Sequence, residues 1–490
     1  MSGTKEHRNS IRKNAALNGI RRITATIFPV ITMPYILRVL QVENVGIYQF
    51  SSSVVSYFLL IAALGISTYA IREGAGLRED REKISRFSNE VFALNLMSTA
   101  AAYALLGILL VTVPKFHELR TAILLFSIEI FFTTLGVEWI YQINEDYTFI
   151  TIRSILFQLI SLVLMFLFVR SESDLYVYIV ITVVASVGAN VINFAFSKKY
   201  FDIRTGREYF AAWRKHIRPV LIIFSSNVAI TIYVSLDILM LGFMTDNYTV
   251  GLYTTASKIY TIIKNLMSAV LIVTIPRFSM LAQRGDAEEF NATFRRAFRT
   301  ILTLLLPAST GVIFLGKEIT CLAGGKEYLP GAADLAILGA AIVFSLFAFL
   351  YTQCVLIPYH HEKVILCATS ISAVSNVLLN LILIPVLRDR AAAITTVIAE
   401  AVTCIIAYVF SRRYVRVSGI ARELLSVAAG CAAIAGICVL MKSLIGGMFP
   451  RTAAAVALSV LAYALILLVF KNETLRELMR PVLRRLAGSK

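Results

Sequence analysis

Charge, histidine and tryptophan are scarce in this chain, and each shortage excludes something. Only 16% of its 490 residues are charged, against about 25% in soluble domains, so a water-soluble globule of this length is excluded. Five histidines and six cysteines are scattered with no CxxC pair and no histidine at ligand spacing, which leaves no basis for a metal site. Cys321, Cys354, Cys367, Cys404, Cys431 and Cys438 read as small buried hydrophobes. Two partial motifs fail on inspection. Gly311 to Lys317 spells most of a phosphate loop, but the next residue is Glu318, not Ser or Thr, and the segment ends an apolar run. His360-His361-Glu362 lacks the second histidine of a zinc-protease helix. With no nucleotide-binding domain and no covalent-catalysis constellation, neither an enzyme nor a cofactor is expected. The polar, basic stretch Met1 to Lys13 runs into a long apolar segment without a small-residue cleavage site, so no signal peptide is expected.

What the chain has instead is apolar surface: 58% of residues are hydrophobic and the mean hydropathy is +0.75. Runs of roughly twenty apolar residues recur, the length a helix needs to cross a ~30 Å hydrocarbon core. Spans are expected near 14–40, 47–71, 88–113, 120–142, 149–169, 175–197, 219–244, 250–275, 296–316, 332–357, 364–386, 391–411, 423–445 and 452–470. The fold class is therefore all-α, a polytopic membrane protein of about fourteen transmembrane helices. A net charge of +17 would suggest nucleic acid in a soluble protein. Here the cations sit in alternate loops, as the positive-inside rule requires of cytoplasmic ones, so no nucleic-acid partner is expected. Arg72, Arg78, Arg81, Lys83 and Arg86 mark one such loop; Lys198, Lys199, Arg204, Arg207, Arg214, Lys215 and Arg218 mark another. Both termini then fall in the cytoplasm. Glu473–Leu486 alternates apolar residues with Arg476, Arg480, Arg484 and Arg485, either an interfacial amphipathic helix or a solvated basic tail.

The sequence also repeats itself. Val45-Gly46-Ile47-Tyr48 returns as Val250-Gly251-Leu252-Tyr253, and Arg72 returns as Arg277, both 205 residues later. Phe196-Ser197-Lys198-Lys199-Tyr200 returns as Phe410-Ser411-Arg412-Arg413-Tyr414, 214 residues later. Six spans separate the copies, so both enter the membrane with the same polarity. The expected organisation is an N-terminal lobe over 1–200, a cytoplasmic linker over 201–218, a C-terminal lobe over 219–414, two appended spans over 415–470 and an amphipathic tail over 471–490. Two pseudo-symmetric lobes around a central cavity would suit alternating access.

Ionisable residues within the spans carry the functional information, since each costs about 2.5–3.5 kcal/mol at a helix centre on the insertion scale. They are Arg21, Arg22, Glu129, Glu138, Arg153, Asp237, Lys258, Lys264 and Glu400. Arg21 and Arg22 with Lys258 and Lys264 would attract an anion if a cavity gathers them, arginine gripping phosphate with a planar fork and lysine supplying a point charge. Two alternatives stand beside this reading: Arg21 and Arg22 snorkel to the cytoplasmic face, and Lys264 pairs with an acidic neighbour such as Asp237. Glu129 and Asp237 are candidates for a proton- or cation-responsive site, or for carboxylates satisfied by a nearby cation.

The opening run Asn14–Leu40 with Pro29 and Pro34, then Val45-Gly46-Ile47-Tyr48, then Leu64-Gly65-Ile66-Ser67 leading to Arg72, resembles the polysaccharide transporter family over essentially the whole length. These are the Wzx-type flippases of O-antigen, capsule and exopolysaccharide units, in the superfamily shared with multidrug/cation antiporters and lipid II flippases. The resemblance implies a V-shaped two-lobe bundle in the bacterial cytoplasmic membrane that moves a polyprenyl-pyrophosphate-linked oligosaccharide to the outer leaflet. It implies a cationic lumen for the head group, to which Arg21, Arg22, Lys258 and Lys264 are the counterparts here, with Arg72 and Arg277 as points of first contact with phosphate. Membrane lipids, a coupling proton or sodium ion, and a polysaccharide polymerase with its assembly proteins are the partners it implies. A drug/cation antiporter would want carboxylates and aromatic faces, a lipid II flippase shares the architecture, and a membrane-embedded glycosyltransferase would show large catalytic loops.

Overall fold

A computed structural model describes residues 30–202, 204 and 206–476, apart from the side chains of 226, 229, 230 and 232–235. Arg21, Arg22 and the tail from 477 onward lie outside the described residues. The chain folds into helices α1 (Ser2–Ala63), α2 (Ile66–Gly74), α3 (Arg81–Thr112), α4 (Pro114–Glu118), α5 (Arg120–Leu135), α6 (Glu138–Ile143), α7 (Tyr147–Phe168), α8 (Leu175–Phe196), α9 (Arg207–Ala211) and α10 (Trp213–Met244). It continues through α11 (Asn247–Ile272), α12 (Ile275–Arg284), α13 (Ala287–Phe314), α14 (Gly316–Gly324), α15 (Ala332–Tyr351), α16 (Glu362–Leu387), α17 (Asp389–Ser411), α18 (Ala421–Leu444) and α19 (Met448–Val469). No strand occurs among the described residues. Lipid enforces this, because a helix satisfies its own backbone hydrogen bonds where no water can.

Among the described residues, twelve helical segments are long and apolar enough to cross a bilayer. They fall on the expected spans, with two further spans reconciling the count with fourteen. α1 is broken at Gln41, whose φ is 63°, between the first and second expected spans, and α10 occupies the seventh. Polar caps start the helices: Asp80 accepts from the Glu82 and Lys83 amides, Asp146 from Phe149 and Asp286 from Glu289, each satisfying otherwise orphaned donors.

Contacts divide the chain into two units, Met1–Gly251 and Leu252–Lys490. In the first, α1 packs against α3, α5, α7 and α10. α10 is held there by the Phe50 ring, which lies where a Cβ on Gly242 would sit, and by His216 on its basic end, so the seventh span packs with the first six. In the second unit α15 packs on α13 and α17, α16 on α17, and α18 and α19 form a hairpin against α13.

Side-chain arrangements recur in both units, at or within a few residues of the spacing of the sequence repeat. The Asn89 amide donates to the Asp202 carbonyl (2.9 Å) and accepts from the Arg204 amide (2.8 Å). In the second unit Asn291 donates to the Tyr414 carbonyl (3.4 Å) and accepts from the Arg416 amide (2.9 Å). Tyr48 reaches the Thr182 hydroxyl, and Tyr253 lies 3.2 Å from that of Thr396. The two repeat glycines meet within the first unit. A Cβ on Gly46 would lie 1.8 Å from the Asn247 carbonyl oxygen and one on Gly251 2.1 Å from that of Val42, so the backbones approach only because neither residue has a side chain.

Candidate functional site

α11 carries the two membrane lysines of the second unit. The Lys264 ammonium donates to Glu400 Oε1 at 2.7 Å, and the Tyr260 hydroxyl, one turn earlier on the same face, donates to the same oxygen at 2.9 Å. Glu400 is 8% exposed and Lys264 30%, so the acid is sheltered while the amine retains access. Pairing was one of the two readings open for Lys264; the acid is Glu400 of α17, not Asp237. Lys258, six residues before Lys264, is half-buried and points about 120° away on an ideal helix. Beside this pair runs an uncharged network: Thr395 donates to Asn380 Oδ1 (2.7 Å), and the Asn380 amide to Asn376 Oδ1 (3.1 Å).

The first unit carries the acids. Glu129 on α5 lies beside the Ser186 hydroxyl, and Asp237 on α10 interacts with Tyr57. Arg153 on α7, only 5% exposed, sits 3.7 Å from Glu138, donates to the Ala189 carbonyl at 3.2 Å and lies over the Phe149 ring. A buried guanidinium needs compensating contacts, and here the two terminal nitrogens face an acid and a carbonyl while a π face lies under the group. Arg72 lies in the last turn of α2 and Arg277 in the first turn of α12, and each pairs with a nearby acid: Arg72 with Glu73 at 3.0 Å and Arg277 with Glu289 at 2.9 Å. Both pairs are half-exposed, where solvent leaves an ion pair worth at most about 1 kcal/mol. Either arginine therefore exchanges its partner at little cost.

One polar cluster is visible only in three dimensions. Glu90 lies inside the first expected turn of its span and is buried, yet it accepts from His216 Nε2 (2.9 Å), Lys215 (3.1 Å) and Arg86 (3.2 Å). His216 is fully buried, and its Nδ1 lies 2.8 Å from the Tyr69 hydroxyl. Sequence offers no signal for it, because the partners are 126 and 147 residues apart. Outside the spans, the Lys83 side chain and its backbone N–H hold the Asp80 carboxyl below its ordinary range. Among the described residues no group of three or more His, Cys, Asp or Glu is placed to hold a metal ion.

A putative O-antigen transporter of Escherichia coli (strain K12) is 24% identical over 335 residues, 68% of this chain and 74% of that protein. The capsular polysaccharide biosynthesis protein CapF of Staphylococcus aureus is 20% identical over 82% of this chain and 99% of its own length. A probable low-salt glycan biosynthesis flippase, Agl15 of Haloferax volcanii, is 25% identical over 175 residues, 36% of this chain and 37% of that protein. Among solved structures, the lipid II flippase MurJ in an inward closed conformation matches with a TM-score of 0.74 at 15% identity, covering 94% of this chain and 99% of that one. At that identity the likeness establishes the fold. Residues 11–282, more than half of the chain, match the family described as polysaccharide biosynthesis protein. The chain is therefore a multi-pass membrane protein of that family, one of the polysaccharide transporters of the multidrug/oligosaccharidyl-lipid/polysaccharide exporter superfamily.

Proposed function

We propose that the protein is a flippase that moves a polyprenyl-pyrophosphate-linked oligosaccharide from the cytoplasmic to the outer leaflet by alternating access. The observation that carries this is similarity to O-antigen transporters over two thirds of the chain, on a fold shared with a lipid II flippase. In this reading the oligosaccharide passes through the protein while the polyprenyl tail stays in lipid, and no covalent bond changes. Arg21, Arg22, Lys258 and Lys264 meet the pyrophosphate, with Arg72 and Arg277 as first contacts. Glu129 and Asp237 answer a coupling proton or sodium ion. The protein resides in the bacterial cytoplasmic membrane with both termini inside, delivering cargo to a polymerase and its assembly partners.

Proteoliposomes loaded with lipid-linked oligosaccharide test this, with lectin accessibility reporting the leaflet. Wild-type protein should expose the sugar on the far side, and Arg21→Ala and Lys264→Ala should slow that step while inserting normally. Variants at wild-type rate would remove the cationic residues from the proposal. Failure of the wild-type protein to translocate any lipid-linked sugar would remove the function itself. Reporter fusions at both ends should show cytoplasmic activity only.

A further inference from the structure

Two membrane helices of the first unit are broken at the same place. α1 and α2 part at Leu64 and Gly65, with φ of 48° and 78°, and α5 and α6 part at Gly136 and Val137, where Val137 has φ of 34°. A β-branched residue in this region is a genuine outlier, and such strain costs of order 1–3 kcal/mol. Interrupted membrane helices are tolerated where they line a cavity, and a cavity of about 250 Å³ lies here. Its polar wall is Asn95, Thr133, Glu138, Gln142 and Asn190; Leu59, Ile130 and Trp139 give it an apolar side. Gly136 admits the amide of α8: a Cβ there would sit 2.5 Å from Asn190 Cγ.

The hydrogen-bonding groups around this cavity are partly committed. Gln142 donates to Glu138 (3.2 Å), Asn193 donates to Asn190 Oδ1 (3.3 Å), and Asn95 donates to the Ala62 carbonyl (2.8 Å) beside the first break. Among the described residues the Asn190 N–H groups, the Gln142 carbonyl oxygen and the Thr133 hydroxyl make no further hydrogen bond. The one charge in the wall, Glu138, is offset by Arg153. An anion finds no cation in the wall, whose one carboxylate is Glu138. A neutral ring bearing vicinal hydroxyls finds both donors and acceptors, with apolar side chains for its C–H faces. The volume falls below the 300–1,000 Å³ of drug-sized pockets, which suits one sugar ring rather than several. The repeat counterpart of the second break differs: α11 and α12 also part, but α15 runs unbroken into a π-helical stretch, Thr352–Leu356, where Cys354, Val355 and Leu356 are buried.

We propose that this cavity is a carbohydrate subsite that reads one sugar of the cargo through Gln142, Asn190 and Thr133. It rests on the flippase reading for the source of the sugar. Trp213→Phe leaves Trp139 as the only tryptophan, and its emission reports the site in purified full-length protein titrated with methyl glycosides of hexoses, 6-deoxyhexoses and N-acetylhexosamines. The expected result is a saturable change with one class, weakened about five- to tenfold by Gln142→Ala or Asn190→Ala, the loss of one hydrogen bond each. Thr133→Val, which removes only a hydroxyl, should weaken it similarly and guards against misfolding. No response to any glycoside, or variants that bind like the parent, would overturn the subsite even if lipid-linked cargo is still transported. Glycoside binding without transport of any lipid-linked cargo would support the subsite and overturn the flippase reading instead.

Discussion

Removing Glu400 should damage the protein more than removing both members of its ion pair. At 2.7 Å and an effective dielectric of about 20, the Lys264–Glu400 attraction is about 6 kcal/mol before the desolvation of both ions is set against it. Net of that cost, a sheltered pair contributes little, whereas a charge stripped of its partner costs about 3–5 kcal/mol. Lys264 keeps 30% exposure, so Glu400→Ala should fall at the low end of that range, about 3 kcal/mol. Lys264→Met should cost more, since it strands an acid that is only 8% exposed with the Tyr260 hydroxyl as its one remaining side-chain donor among the described residues. The double variant Lys264→Met/Glu400→Leu should recover most of the loss in a detergent thermal-unfolding series. The same double variant should fail to transport if Lys264 meets the cargo. Single losses that add in the double variant would refute the pairing argument, and a double variant that transports at wild-type rate would show the pair to be purely structural.

Asn89→Ala and Asn291→Ala should each cost about 1–3 kcal/mol, because each strands backbone groups of a connector; pulsed proteolysis of those connectors should show nearly equal effects, and a harmless variant at either site would break the parallel. Glu318 is buried between Lys442 at 3.7 Å and Arg451 at 3.6 Å, so Glu318→Ala should loosen the α18–α19 hairpin by about 1–3 kcal/mol after discounting for the exposure of Lys442, read as faster cleavage near Gly446 and Gly447. Pro307 lacks the N–H that would bond the Thr303 carbonyl, and the Tyr463 hydroxyl supplies it at 2.7 Å. Tyr463→Phe should therefore lower thermal stability by about 1–3 kcal/mol, and an unchanged unfolding curve would show that another group meets the carbonyl.

The spans were legible because lipid leaves a membrane segment one solution, and its length and apolarity are written in the residues themselves. The helix starts capped by Asp80 and Asp286 were not read, because apolarity marks only the part of a helix inside lipid and the expected spans begin at 88 and 296. The breaks at Leu64 and Val137 were not legible, since neither leucine nor valine announces a positive φ, and the neighbours packed at the breaks, Ile223 and Phe224 of α10 and Asn190 of α8, are distant in sequence. Partners across the bundle were equally hidden. Lys264 sits 136 residues from Glu400, and Asp237 was the nearer acid in sequence. The contacts of α10 were hidden in the same way: Phe50 lies against Gly242, and His216 against Glu90.

The repeat separates scaffold from function. Arrangements present twice, the asparagine latches at 89 and 291 and the Tyr–Thr pairs of Tyr48 and Tyr253, fix connectors and crossings that any copy of this fold must make. The Lys264–Glu400 pair is present once. At the repeat offsets of 205 and 214 its counterparts are Leu59 and Ser186, an apolar residue and a small hydroxyl. The Glu138–Arg153 pair is likewise confined to one copy, beside a strained break that its counterpart avoids. Buried ions and strained backbone both cost stability. On the proposed function, their confinement to one copy each places that cost with cargo handling, and a Lys264→Met/Glu400→Leu variant that transports at wild-type rate would refute this.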